Sequence, residues 1–258
     1  MANPLRILFV SDEVAPFTSS SVIANLVRTL PEQLQESGEY EVRIMTPRYG
    51  IISERRNRLH EVIRLSGTGV RMGSHMETLK VKVASIPGIR LQVYFMDNNT
   101  YFKRKGIYKD KSSKVFEDNP ARALFFGRAA LATIRNLGWT PDVVHAFGAM
   151  SSFVPLLLRT ELNAAEGFEN TRVVFTPSAT DLGAPLTAAM VKSIGLPEDE
   201  RLFGRTATEA GTDFADAVLY PPDAAPDLDG AFRFGKEGEE MMKDATVVYE
   251  QVLSAVAV

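Results

Sequence analysis

Short apolar runs alternating with helix-period segments constrain this chain more than any other feature. Residues 5–10 (Leu5-Arg6-Ile7-Leu8-Phe9-Val10) form an apolar run broken only by Arg6. Val22, Ile23, Leu26, Leu30 and Leu34 follow at helical spacing, with Pro31 inside the pattern. A second run, residues 40–46, is closed by Pro47. Further runs at 142–146, 172–176 and 216–220 are separated by helical patterns, the strongest at 118–137 with Gly138 as its stop signal. Continuous apolar strands are buried on both faces, and strand–helix alternation specifies a parallel sheet. The predicted fold is α/β: a single Rossmann-like domain, its mostly parallel sheet carrying helices on both faces.

The stretch from residue 61 to 97 breaks the alternation. Residues 61–65, 77–83 and 89–95 read as strands, and the second alternates polar and apolar residues, as antiparallel strands with one wet face do. Gly73-Ser74-His75-Met76 reads as a turn between two of them. A loop is expected at 98–114, and Ser151 or Ser152 is expected to cap a helix reaching Leu162. Residues 221–229 read as a linker. Residues 237–256 read as a terminal helix with Met241, Met242, Ala245, Val248, Val252 and Val256 on one stripe. The expected organisation is one domain over 1–230, with a segment 231–258 whose helix packs back on it.

Composition narrows the function classes. The 258 residues carry a net charge of −3, which supplies no field to attract nucleic acid or an anionic membrane. Cysteine is absent, so disulfides, thiolate metal sites and a cysteine nucleophile are excluded. With three histidines a His-rich metal site is not expected, and neither is a metal or cofactor. The first apolar run ends at Ser11-Asp12-Glu13, too early for a signal segment or membrane span, so a cytoplasmic location is expected.

Ligands of open α/β sheets collect at the carboxyl ends of the strands. After the first strand come Asp12 and Glu13, then Thr18, Ser19, Ser20 and Ser21 leading into a helix N-terminus. Those hydroxyls suit an anion or a sugar oxygen, or else cap the helix through Ser19 or Ser20. Adjacent residues of an extended segment face opposite sides, so Asp12 and Glu13 are not expected to act as a carboxylate pair. His145 is the one histidine at an expected strand end and the single catalytic candidate, the alternative being a buried, hydrogen-bonded core residue. Ser178, His145 and Asp181 lack the spacing of a nucleophile elbow. Tyr101, Phe102 and Tyr108 beside Lys103, Arg104 and Lys105 form a basic-aromatic loop able to stack on sugar rings, or simply a solvated one.

Several segments together resemble the bacterial glycogen synthases and plant starch synthases. Residues 7–17 resemble their opening strand and loop, and Thr46-Pro47-Arg48-Tyr49-Gly50 their Leu-Pro-Lys/Arg-Tyr-Gly segment. Tyr94-Phe95-Met96-Asp97-Asn98, Gly106-Ile107-Tyr108, Asp118-Asn119-Pro120 and residues 138–146 (Gly-Trp-Thr-Pro-Asp-Val-Val-His-Ala) look like further stretches of the same family. The resemblance implies a GT-B fold and metal-independent transfer of glucose from ADP-glucose to an α-1,4-glucan, the N-terminal half facing the glucan.

The departures from that pattern matter as much. The family's Lys-Thr-Gly-Gly-Leu is Ser19-Ser20-Ser21-Val22-Ile23 here, without the phosphate-pairing lysine. Its His-Ala-His-Asp-Trp-His is His145-Ala146-Phe147-Gly148-Ala149-Met150, with one histidine kept and the acid gone. Its Val-His-Asn becomes Pro177-Ser178-Ala179, and the lysine of Phe-Leu-Lys-Ala-Gly becomes Glu209. The sequence is expected to stop near the interdomain crossover, without the nucleotide-sugar half. The expectation is a non-catalytic homologue whose cleft face, Asp12, Glu13, Ser19, Ser20, Ser21 and Tyr101, meets a protein partner or a second copy. The alternatives are a glucosyltransferase active with a partner chain and an α-glucan-binding module.

Overall fold

Ile7, Leu8, Phe9 and Val10 are fully buried, as a strand covered on both faces requires. They belong to β1 (Leu5–Ser11) of a computed structural model that describes residues 3–19, 21–163, 167–223 and 230–255. There follow α1 (Val22–Ser37), β2 (Tyr40–Pro47), α2 (Glu54–Asn57), β3 (His60–Glu61), β4 (Thr68–Met72), β5 (His75–Ser85), β6 (Gln92–Asp97) and α3 (Asn99–Phe102). The second half holds α4 (Asn119–Asn136), β7 (Val143–Phe147), α5 (Val154–Leu157), β8 (Arg172–Thr176), α6 (Ala188–Ile194), α7 (Ala207–Phe214), β9 (Ala217–Tyr220), β10 (Phe232–Arg233) and α8 (Gly238–Ser254).

The sheet order is β10-β9-β8-β7-β1-β2-β6-β5-β3, with β4 paired to β5. From β10 to β6 every pairing is parallel, and β5 turns the far edge antiparallel. From β1 the chain crosses to β2 on one side; from β6 it crosses back to β7 and then runs to β8 and β9 on the other. Right-handed crossovers then put α1 on one face and α4, α5 and α7 on the other. The helix α8 returns to pack on α1, β8 and β9. The mostly parallel sheet between two helical layers is the α/β fold expected, and the order in which the chain adds strands reverses between β1 and β7.

The helix α4 supplies much of the second layer: Leu124, Phe125 and Phe126 are wholly buried, each stabilising the fold by about 1.5–3 kcal/mol. It approaches α5 closely, since a Cβ on Gly127 would lie 2.7 Å from Leu157 Cδ1. Gly138, at φ +62°, ends this layer's longest helix as its sequence position implied.

Several elements differ from expectation. Of residues 61–65 only Glu61 is in a strand, as the end of β3; the chain then turns through a 3₁₀ segment, Ile63–Leu65. The Ser66 hydroxyl accepts the Val81 amide at 3.0 Å, replacing the ladder partner a longer strand would supply. The strand β4 was not foreseen; it forms a hairpin with β5 across Gly73 and Ser74, so the turn lies there while His75 and Met76 are already in the strand. The 98–114 loop contains α3. Neither Ser151 nor Ser152 caps α5: Ser151 Oγ donates instead to the Phe147 and Gly148 carbonyls. The chain then continues past α5 as a π turn, Leu158–Leu162. Residues 224–229 of the expected linker and Val256 lie outside the described residues, and β10 adds a parallel strand beside β9.

Candidate functional site: the strand ends between β1 and β7

The reversal between β1 and β7 is where this fold class opens a crevice for ligands. Here the two loops close on one another. The Asp12 amide donates to the Phe147 carbonyl at 3.2 Å. Gly148 sits at φ +79°, and a Cβ there would fall 1.9 Å from Asp12 Oδ2. The Asp12 carboxyl therefore occupies the volume in which a side chain at 148 would begin. The resemblance implies an acid at 148; here a glycine stands there and the Asp12 carboxyl of the β1 loop fills the adjoining space.

Asp12 is 2% exposed. The Tyr108 hydroxyl donates to its Oδ2 and covers it. The amides of Ala149 and Met150 lie close enough to favour the anion, but Oδ1 has no hydrogen-bond partner among the described residues. Burial dominates and pushes the Asp12 pKa up to about 7, with the Glu13 charge adding to the rise. Glu13 is buried too, and its charge acts on Asp12. The same burial, with the nearby Asp12 charge, pushes the Tyr108 and Tyr49 hydroxyls well above their usual range.

His145 lies inside the sheet, fully buried. The Thr176 hydroxyl donates to the Leu219 carbonyl at 2.7 Å, so it accepts from His145 Nε2 at 2.8 Å. That fixes the Nε2–H tautomer, and Nδ1 accepts the Tyr249 hydroxyl at 2.7 Å. Phe147 stacks on the imidazole with centroids 3.9 Å apart, and Phe9 and Phe234 enclose it further. Desolvation holds the His145 pKa well below its ordinary value. Both ring nitrogens are engaged and no face is open, so this imidazole packs the core. The Ser178 hydroxyl donates to the Thr180 carbonyl and Asp181 accepts the Thr208 amide, so neither forms a triad with His145.

The serine run splits. Ser19 is exposed, Ser20 lies outside the described residues, and Ser21 is the cap of α1, accepting the Ala24 amide at 3.4 Å. The cap is thus two residues beyond Ser19. Val22, half exposed, begins the helix where the resemblance has a glycine. Tyr101 is 6% exposed and stacked on Phe125 at 4.9 Å, so its ring faces the core instead of a sugar. Glu209 closes a capping box with Thr206 at the start of α7.

One polar feature escaped sequence reasoning. At the carboxyl end of β6 a cleft of about 530 Å³ is lined by Asn98, Asn99, Thr100 and an ion-pair ring. Arg48 pairs with Glu54 and Asp97, each at 3.2 Å, and Lys82 pairs with the same two at 2.6 and 2.9 Å. The partners come from four separate segments, and nothing in their local spacing announces the ring. Among the described residues no cluster of three or more His, Asp or Glu is placed to hold a metal. No described helix is long and apolar enough to cross a membrane.

Residues 6–220 match the family described as the starch synthase catalytic domain. The chain belongs to that family. Over 172 residues it is 39% identical to the glycogen synthase of Chlorobium phaeobacteroides and 38% identical to that of Chlorobium luteolum. Each match covers 66% of this chain and 35% of the relative, so the chain matches about a third of those proteins' length. Among solved structures it is similar to the catalytic domain of starch synthase IV from Arabidopsis thaliana bound to ADP and acarbose. That match has a TM-score of 0.68 at 20% identity and covers 96% of this chain and 50% of the other. The likeness agrees with a Rossmann-like, GT-B type domain. In this synthase-family chain Asp12, Tyr108, Phe147 and Gly148 pack against one another where the strand order switches between β1 and β7.

Proposed function

We propose that this glycogen and starch synthase-type domain is non-catalytic and serves a binding or regulatory role. The observation that carries this is the closure between β1 and β7. Asp12 fills the space over Gly148, Tyr108 covers it, and the family's surviving histidine is locked inside by Tyr249 and Thr176. A sugar diphosphate needs cations aimed at its leaving group, and each lost preorganised stabiliser raises a barrier by about 3–4 kcal/mol. Ser19 and Glu209 carry no positive charge where the family pattern has lysines. The test is to incubate the chain with ADP-glucose or UDP-glucose and glycogen, alone and co-expressed with the C-terminal half of a glycogen synthase. The expected result is no transfer above background in either case; glucose incorporation in either sinks the proposal.

Protein contact through the strand-end surface accords with the exposure of Val22 at the start of α1 and of Phe203 shortly before α7. Sedimentation across a concentration series reads whether a second copy binds there.

A second reading, an α-glucan-binding module, is favoured by the cleft at β6. Arg48 and Lys82 are paired there with Glu54 and Asp97, and its amides and hydroxyl suit neutral sugar hydroxyls. Retarded migration in glycogen-containing gels, abolished by Asn99→Ala with Thr100→Ala, supports this reading; unretarded migration of the wild-type chain removes it.

A further inference from the structure

The antiparallel edge of the sheet carries a second kind of surface. Two clefts of about 600 and 400 Å³ meet at Ser85 and Gln92, which face one another across the β5–β6 ladder. The larger is lined by Arg56, Asn57 and Arg58, and the smaller by Arg43 and Arg90. No aspartate or glutamate is among the described residues lining either cleft. For a chain of net charge −3 this is a strong local excess of cation.

The arginines differ in their engagement. Arg43 pairs with Glu41 at 3.6 Å and stacks on Trp139. Arg56, Arg58 and Arg90 are exposed, and their guanidinium groups make no ion pair or hydrogen bond among the described residues. Arg58 also holds φ at +52° as the C-cap of α2, a conformation that costs glycine far less than arginine. An unpaired guanidinium presents a planar fork matched to phosphate oxygens. Beside it, the Asn57 and Gln92 amides and the Ser85 hydroxyl offer both donors and acceptors, the complement of sugar hydroxyls. Phe17 and Pro87 add a small apolar wall.

We propose that this double cleft is a binding site for a phosphate-bearing carbohydrate, its phosphoryl group held by Arg56 and Arg58 and its hydroxyls by Asn57, Ser85 and Gln92. The site is separate from the closed crevice between β1 and β7 and stands whether or not the domain is catalytic. A free sugar phosphate and a phosphorylated glucan present the same chemistry.

Calorimetric titration with glucose 6-phosphate, glucose, inorganic phosphate and a phosphorylated dextrin tests it. Saturable binding is expected for at least one phosphorylated sugar, about tenfold tighter than glucose or phosphate alone. Arg56→Gln with Arg58→Gln should weaken that binding by at least about tenfold at an unchanged thermal midpoint, while Arg64→Gln, outside both clefts, leaves it intact. Whichever phosphorylated probe binds tighter identifies the source. Absence of binding by both at millimolar concentration overturns the proposal, as does binding that the double variant leaves unchanged or that glucose matches.

Discussion

The Asp12 carboxyl stands where a side chain on residue 148 would begin, with Oδ2 only 1.9 Å from the position of a Cβ on Gly148. The two residues are therefore coupled through one volume. Gly148→Ala should destabilise the domain by about 3 kcal/mol or more, combining the overlap with the penalty for a Cβ at φ +79°. Asp12→Gly in the same chain removes the overlap and leaves the backbone term. Urea denaturation of the four chains should give a coupling energy of about 1–3 kcal/mol favouring the double variant. Additive effects would show that the two loops do not share this space.

Asp12 and His145 act on stability in opposite directions with pH. Asp12 rises from 3.8 to about 7 on folding, so the folded chain holds a proton that the unfolded chain has lost, and stability falls as pH rises from about 4 to 7. His145 is depressed below 6.5, so the unfolded chain binds the extra proton and stability falls as pH drops below that value. Each slope is about 1.4 kcal/mol per pH unit at most, and the two offset where they overlap. Asp12→Asn should unmask the histidine, giving stability that falls with acidification below pH 6.5. At pH 8 the same variant should exceed wild type by at least about 1 kcal/mol, because no charge remains to be buried. Thermal midpoints across pH read both effects; parallel curves for the two chains would count against a buried, elevated Asp12.

At the mouth of α1 the serines divide into one structural and one idle residue. Ser21 accepts the Ala24 amide, whereas Ser19 is exposed and makes no hydrogen bond among the described residues. Ser21→Ala should cost about 1 kcal/mol, and Ser19→Ala should stay within about 0.5 kcal/mol of wild type. Chemical denaturation midpoints separate the two; equal losses would place the cap elsewhere.

Local patterns made β1, α1, α4 and the mostly parallel character of the sheet legible, because burial on both faces and 3.6-residue periodicity are written into neighbouring residues. The hairpin strand β4 was not, since Gly69 interrupts its five residues and its pairing depends on β5. The site was less legible still. His145 at a strand end looked available, but the Tyr249 hydroxyl that occupies it comes from 104 residues later. Asp12 and Glu13 were visible as strand-end acids; that Tyr108 covers one of them depends on a contact spanning 96 residues. The resemblance marked Gly148 as a lost acid, and only the folded geometry shows that a carboxyl from another loop lies against it.

Glu209 tests whether the departures from the family pattern at the strand ends have become structural. Its carboxylate accepts the Thr206 amide at 2.8 Å while the Thr206 hydroxyl accepts the Glu209 amide at 3.2 Å, so the residue holds the first turn of α7. That turn positions Gly211, where an added Cβ would press on Phe175 at 2.8 Å, so α7 must seat closely on β8. Glu209→Lys restores the family's charge but removes one half of the capping box and sets a cation against the positive end of the helix. The expected outcome is a loss of about 1 kcal/mol in stability, with no gain in ADP-glucose binding by calorimetry because the crevice between β1 and β7 stays filled. Glu209→Gln keeps an acceptor for the Thr206 amide and should recover most of the stability. Tight ADP-glucose binding by the lysine variant would instead mean that the crevice opens readily and that charge alone had silenced it.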